Sequence, residues 1–148
     1  MTRRFGHGEL HLALLALLSE RPMHGYDLMG ELARRMGGRY RPSPGSIYPA
    51  VSALQAEGLI AGREEDDRRV YRITAMGSKA LAGRADRLAR MEAQLGVRFG
   101  EDSVDVALAR FTQRVRTLAG KLDARSVSEV LERTAETLGS MATKEEDR

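Results

Sequence analysis

Between Ser43 and Ile60 the chain reads S-P-G-S-I-Y-P-A-V-S-A-L-Q-A-E-G-L-I, and few folds accommodate such a segment. Ser43 is placed to cap a helix, because its hydroxyl can accept from the free N–H groups of the first turn. Pro44 suits the first helical position, where no N–H is needed. Ile47, Val51 and Leu54 recur at the spacing of one helical face. Ser46, Tyr48, Ser52 and Gln55 look elsewhere, and most of these polar groups are hydroxyls and an amide that exchange hydrogen bonds without carrying charge. Gly58 is placed to end the helix, and Leu59-Ile60 opens the next element. A short helix that buries one face and offers an uncharged polar face fits the groove of DNA. Pro49 falls inside the run, where a proline removes a hydrogen bond and crowds the preceding turn. The helix must either start late, keeping Pro49 near its first turn, or bend. A late start brings the N–H groups near Ser46 to the helix end, where phosphate binds well.

Charge points the same way. The net charge of +3 is modest, but residues 1–80 hold 12 basic and 9 acidic residues while residues 81–148 hold 12 of each. No acid occurs between Glu31 and Glu57, whereas Arg34, Arg35, Arg39 and Arg41 do. A basic field beside a polar helix face is the footprint of a phosphate-binding surface, although a solvated cationic face gives the same pattern. Cysteine is absent, which excludes disulfides and thiolate metal sites and suits a reducing compartment. The apolar run near Leu12–Leu18 is too short to span a bilayer. A soluble, cytoplasmic, mainly α protein with a small β-hairpin is expected.

In chain order, Gly8 to Glu20 reads as a helix apolar nearly all round, buried within a core or between subunits. Arg21-Pro22 ends it. His24 to about Met36 forms a second helix with Met29, Leu32, Ala33 and Met36 as its stripe, stopped by Gly37-Gly38. The Ser43 helix is the third, giving a helix-turn-helix. Leu59–Arg63 and Arg69–Thr74 then read as two strands of a hairpin, a wing, with Arg68 and Arg69 near a phosphate. Glu64, Glu65, Asp66 and Asp67 at its tip would repel phosphates. Either the tip points away from the duplex, or the arginines hold those carboxylates.

Thr74 caps a fourth helix from Ala75, whose stripe is Leu81, Ala85, Leu88, Met91 and Leu95. Val104, Leu108, Phe111, Val115, Leu118 and Leu122 alternate at four and three, the seam of a helix packing on helices. Ser126-Val127-Ser128-Glu129 has capping-box form and starts a last helix with Val127, Val130, Leu131, Thr134, Leu138 and Met141 on one face. The expected organisation is a winged helix-turn-helix over 1–74, a helical dimerisation region over 75–142 and a disordered charged tail over 143–148. The long stripes exceed what a small winged domain can bury, so a two-fold dimer is expected, in which Leu81, Leu88, Met91, Leu95, Leu108, Phe111, Val115 and Leu118 meet the second copy.

Three patches stand together: His24-Gly25-Tyr26-Asp27-Leu28; Pro44-Gly45-Ser46-Ile47-Tyr48-Pro49 with Leu54 and Glu57-Gly58-Leu59-Ile60; and Arg68-Arg69-Val70-Tyr71-Arg72-Ile73-Thr74 with Gly77 and Leu81. In this order they resemble the PadR-like family of bacterial transcriptional regulators, over about residues 8 to 82. Tyr48-Pro49 inside the third helix is the most specific part. The resemblance implies a winged helix-turn-helix with a C-terminal helical dimerisation region, acting mostly as a repressor. It places the third helix in the major groove and the wing along the backbone, which supports Ser46 and Tyr48 as DNA contacts with Arg68 and Arg69 on the wing. It also implies an apolar small-molecule effector, held between the fourth helices of the dimer and the winged domains. Two departures stand out. The wing tip here is acidic, and the absence of tryptophan removes the aromatic sandwich with which some relatives hold flat drugs.

The expected DNA-binding set is therefore Ser43, Ser46, Tyr48, Ser52, Gln55, Arg39, Arg41, Arg68 and Arg69. Partners are duplex DNA with two half-sites and a second copy of the chain. The alternative is a winged-helix interaction module whose basic face docks an acidic protein. His7 and His11, four apart, lack a third metal ligand nearby. His24 fits a helix start, Tyr26 a partly buried place between helices, and Tyr71 the core. No nucleophile elbow, phosphate loop, H-E-x-x-H or paired catalytic carboxylates occur, so no catalytic residue, metal or cofactor is expected.

Overall fold

A computed structural model describes residues 5–6, 8–121 and 123–146, without the side chains of 119 and 142–146. His7, Leu122 and residues 147–148 lie outside the described residues, so the His7–His11 pairing and the Leu122 end of the seam do too. The chain divides into two compact units, Met1–Phe111 and Thr112–Arg148. No helix among the described residues is long and apolar enough to cross a membrane.

The first unit is built around α1 (Glu9–Glu20), in which every residue from Leu12 to Leu18 is buried. Such a helix has no solvent face because its neighbours surround it: α2 (Gly25–Arg35), α3 (Pro44–Ala56), α4 (Ala75–Gly83), α5 (Ala85–Leu95) and a small sheet. Of the two places open to this apolar helix, the chain uses its own core. Extended Arg21 ends α1, as Pro22 dictates.

The sheet is antiparallel with order β1-β3-β2: Met23–His24, Arg68–Ile73 and Ile60–Glu65. The hairpin was legible; β1 was not, because two residues carry no period. β1 pairs Met23 with Tyr71 and His24 with Val70, which fastens the wing to the entry of α2. Gly58, at φ 71°, ends α3 as expected.

Thr74 caps α4 through its hydroxyl, which accepts from the Gly77 N–H at 3.0 Å. The expected single fourth helix is two. Gly83 weakens it and Arg84, at φ −110° and ψ 16°, breaks it, so α5 turns back along α1. This turn corrects two expectations. Leu81, Leu88, Met91 and Leu95 are buried at 1–4 % exposure in the core of their own chain and hold no surface for a second copy. The winged unit runs on to Phe111 rather than ending at residue 74, because a three-helix domain leaves α1 uncovered on the side that α4 and α5 occupy.

Beyond Gly96 the chain returns to the core with Phe99, which is fully buried. Glu92 is also buried, and its carboxylate accepts from the Phe99 N–H at 2.6 Å and from Arg110 at 2.6 and 2.8 Å. α6 (Val104–Ala119) starts in the first unit and the division falls within it. α7 (Ala124–Glu146) forms most of the second. Its cap is Asp123, whose carboxylate accepts from the N–H and hydroxyl of Ser126 at 2.9 and 2.7 Å, so the expected capping box at Ser126 lies inside the helix. The expected disordered tail is helical through Glu146, because nothing from Thr143 to Glu146 breaks a helix.

One buried ion network joins α1 to α2. Arg35 donates to Glu20 at 2.6 Å and to Glu31 at 2.7 Å, and Arg34 donates to Glu31 at 2.6 Å. Hydrogen bonding from Arg34, opposed by burial and reinforced by Arg35, holds the Glu31 carboxyl at about 2 against its usual 4.5. A carboxyl lowered in the folded state adds stability above its unfolded value, and that stability is lost as pH falls through the folded one. Urea midpoints are therefore expected to fall between pH 4.5 and about 2. Glu31→Gln should flatten that part of the profile, and an unchanged slope in this variant would show that other carboxylates set it.

Candidate nucleic-acid interface

α3 starts at Pro44 and continues through Pro49 in its second turn, which corrects the expected late start. The bond forgone is the one to the Gly45 carbonyl, four residues back, which lies in the exposed first turn. Ser43 and Ser46 cap the helix together: Ser46 Oγ accepts from the Ser43 N–H at 3.2 Å, and it also lies 3.4 Å from the Tyr40 hydroxyl. The Ser46 hydroxyl is thus largely occupied in holding the helix start, and its side chain is half-buried. Ile47, Ala50, Val51 and Leu54 face the core.

The exposed face is Gly45, Tyr48, Pro49, Ser52 and Ala56. It is small and uncharged, with Tyr48 and Ser52 as its polar groups. Tyr48 is 43 % exposed, and its ring folds back over the entry of α2. A Cβ on Gly25 would come within 2.9 Å of the ring and 3.1 Å of the hydroxyl. Glycine at 25 is therefore the seat of the tyrosine, which is why His24-Gly25 and Tyr48-Pro49 belong together although α2 and the connector separate them.

Beside this seat stands Tyr26, 81 % exposed. The expectation of a packed tyrosine is corrected: Tyr26 lies two positions before buried Leu28, about 200° around the helix, so the stripe that buries Leu28 turns Tyr26 outward. Helical spacing held that signal. His24 is the residue before α2, as expected for a helix start, and Tyr71 is core at 6 % exposure.

The basic field is narrower than the sequence suggests. Arg34 and Arg35 are tied to Glu31 and Glu20. Arg39 and Arg41 remain exposed, with Arg39 Nε donating to the Met36 carbonyl at 3.2 Å.

The wing turns at Asp66 and Asp67, with φ of 48° and 59°. Two successive left-handed residues make the tight hairpin that matches strand twist, and Asp tolerates this better than most residues. The tip carboxylates are held in part by arginines: Glu65 pairs with Arg72 at 2.8 Å and Glu64 approaches Arg69 at 3.9 Å. Of the two arginines expected to hold these carboxylates only Arg69 approaches one, and Arg72 holds Glu65 instead. Cross-strand partners share a face, and the register pairs Gly62 with Tyr71 and Glu64 with Arg69. Arg69 thus lies on the face of the buried Tyr71, toward α3, while Arg68 lies on the other with Glu65. The two adjacent arginines cannot serve the same phosphate face. Arg68 instead borders an open cleft with His24, Glu65 and Asp66.

Residues 14–83, from α1 to the end of α4, match the model of the transcriptional regulator PadR-like family. Transcriptional regulator Rv3488 of Mycobacterium tuberculosis is 36% identical over 83 residues, which cover 53% of this chain and 75% of that protein. The chain belongs to the PadR-like family. Transcriptional regulator YqjI of Escherichia coli is 36% identical over 117 residues, 78% of this chain and 55% of that protein, so the chain spans about half the length of this relative. A transcriptional regulator from Clostridium thermocellum shares the fold, with a TM-score of 0.53 at 22% identity over 61% of this chain and 92% of that one. The winged-helix DNA-binding fold of the PadR-like family accounts for α1 to α4 and the hairpin. The family match ends where α5 begins, so it does not extend to α5, α6 and α7.

Proposed function

We propose that the protein is a dimeric repressor that places α3 of each copy in the major groove of DNA and is released by a small apolar ligand. The observation that carries this reading is the uncharged, exposed face of α3, centred on Tyr48 and Ser52, with Arg39 and Arg41 exposed before it. Uncharged groups suit base edges and arginines suit phosphates, which is the division of labour that DNA readers use. A repressor role and a cytoplasmic location are part of this proposal, and the family resemblance supports them.

Dimerisation is supported by exposed apolar side chains on the last two helices. On α6, Val104 (81 %), Leu108 (59 %), Phe111 and Leu118 are exposed, and Val115 is half-buried. On α7, Val130, Leu131, Leu138 and Met141 are exposed. Two copies joined there would present their third helices to half-sites about 34 Å apart. A released state needs a ligand with different affinity for two arrangements of the dimer.

Genomic fragments selected on the purified protein, followed by gel-shift titration, test the reading. Tight binding that weakens steeply with salt is expected. Tyr48→Ala should weaken it without unfolding the protein. Leu138→Glu combined with Met141→Glu should shift the sedimenting species from dimer to monomer. Recovery of an acidic protein partner with no DNA fragment would replace this reading with the interaction-module one.

A further inference from the structure

We propose that Gly62 is the floor of a phosphate site formed jointly by the wing and the recognition helix, in which Gln55 and Arg69 donate to one backbone phosphate of bound DNA. This rests on the DNA-binding reading above and assigns Gln55 to the phosphate rather than to a base.

The geometry converges on a missing side chain. A Cβ built on Gly62 would lie 2.7 Å from Arg69 Nε, 2.9 Å from Gln55 Nε2 and 3.2 Å from Tyr71 Cε1. Two nitrogen donors from different elements, the end of α3 and strand β3, therefore fill the space that any other residue would take. Arg69 has no acceptor, and the Gln55 amide presents its N–H₂ at this point. Both nitrogens lie within 3 Å of one point beside Gly62, so they are near enough to each other for a single phosphate lying outside the glycine to accept from both.

The neighbouring contacts leave the site open. Arg69 is 54 % exposed and its only ion pair among the described residues is the long 3.9 Å approach to Glu64. The Glu64 carboxylate is the anion already in its field, and a phosphate would compete with it. Tyr71 is buried and supports the site from below. The wing strands themselves do not require glycine here: Gly62 is not among the residues at positive φ, and an alanine is the better strand former.

That last point separates a binding role from a structural one. Gly62→Ala is expected to leave the melting temperature within a few degrees of wild type. It should also lower affinity for a mixed-sequence duplex about tenfold and reduce the salt slope by about one phosphate. Gln55→Ala with Arg69→Ala should produce a similar loss, and adding Gly62→Ala to that pair should cost nothing further. Three results overturn the inference: a wild-type affinity and slope for Gly62→Ala, a loss that persists undiminished without Gln55 and Arg69, or a loss confined to one base position of a selected site. If Gly62→Ala does not fold, the cycle between Gln55→Ala and Arg69→Ala decides, and fully additive losses overturn it. A wild-type protein that binds no duplex at all overturns the DNA reading itself, which keeps the two failures apart.

Discussion

Ser52→Glu is expected to cut affinity for duplex DNA about a hundredfold while leaving stability within about 0.5 kcal/mol of wild type. Ser52 lies exposed in the middle of the free face of α3, between Tyr48 and Ala56. Its side chain is exposed and glutamate is a sound helix former, so the fold has little to lose. In a groove, the new carboxylate would meet acceptor-rich base edges and two rows of phosphates with no cation on α3 to neutralise it. The check is a gel-shift titration beside a urea melt. Near-normal binding by this variant would place the DNA surface elsewhere on the protein.

Glu92→Ala is expected to cost about 3 kcal/mol or more of folding stability. The Glu92 carboxylate accepts from the Phe99 N–H and from Arg110, and Arg110 also donates to the Phe99 carbonyl at 3.0 Å. Alanine would leave a buried N–H without its acceptor and a cation with only a carbonyl. Arg110 is 24 % exposed, so water can recover part of the loss and keep it toward the low end of the range. Glu92→Gln retains one acceptor oxygen and should cost less. Chemical denaturation reads both variants, and a cost under about 1 kcal/mol for alanine would mean that the loop repacks without the network.

How much of this was legible in the residues differs by element. α1, α2, α3 and the hairpin could be read because each carries a period, a cap and a stop within its own segment. The α4–α5 break could not. The stripe of Leu81, Leu88, Met91 and Leu95 is the same whether it faces a second copy or folds back on α1, and only the turn at Arg84 decides between them. Tyr26 shows the opposite case, a position whose outward direction followed from helical spacing and was overridden by the habit of tyrosines to pack.

The interface divides the same way. Sequence alone determined that a capped, proline-bearing helix with an uncharged face would sit between a basic connector and a hairpin, because caps, breakers and periods act over a few residues. Only tertiary structure decided which arginines were free, that Gly25 seats Tyr48, and that Gln55 and Arg69 meet over Gly62. Those are contacts between segments whose separation in the chain carries no record of their distance in space, and a glycine's missing side chain has meaning only once something is known to fill its place.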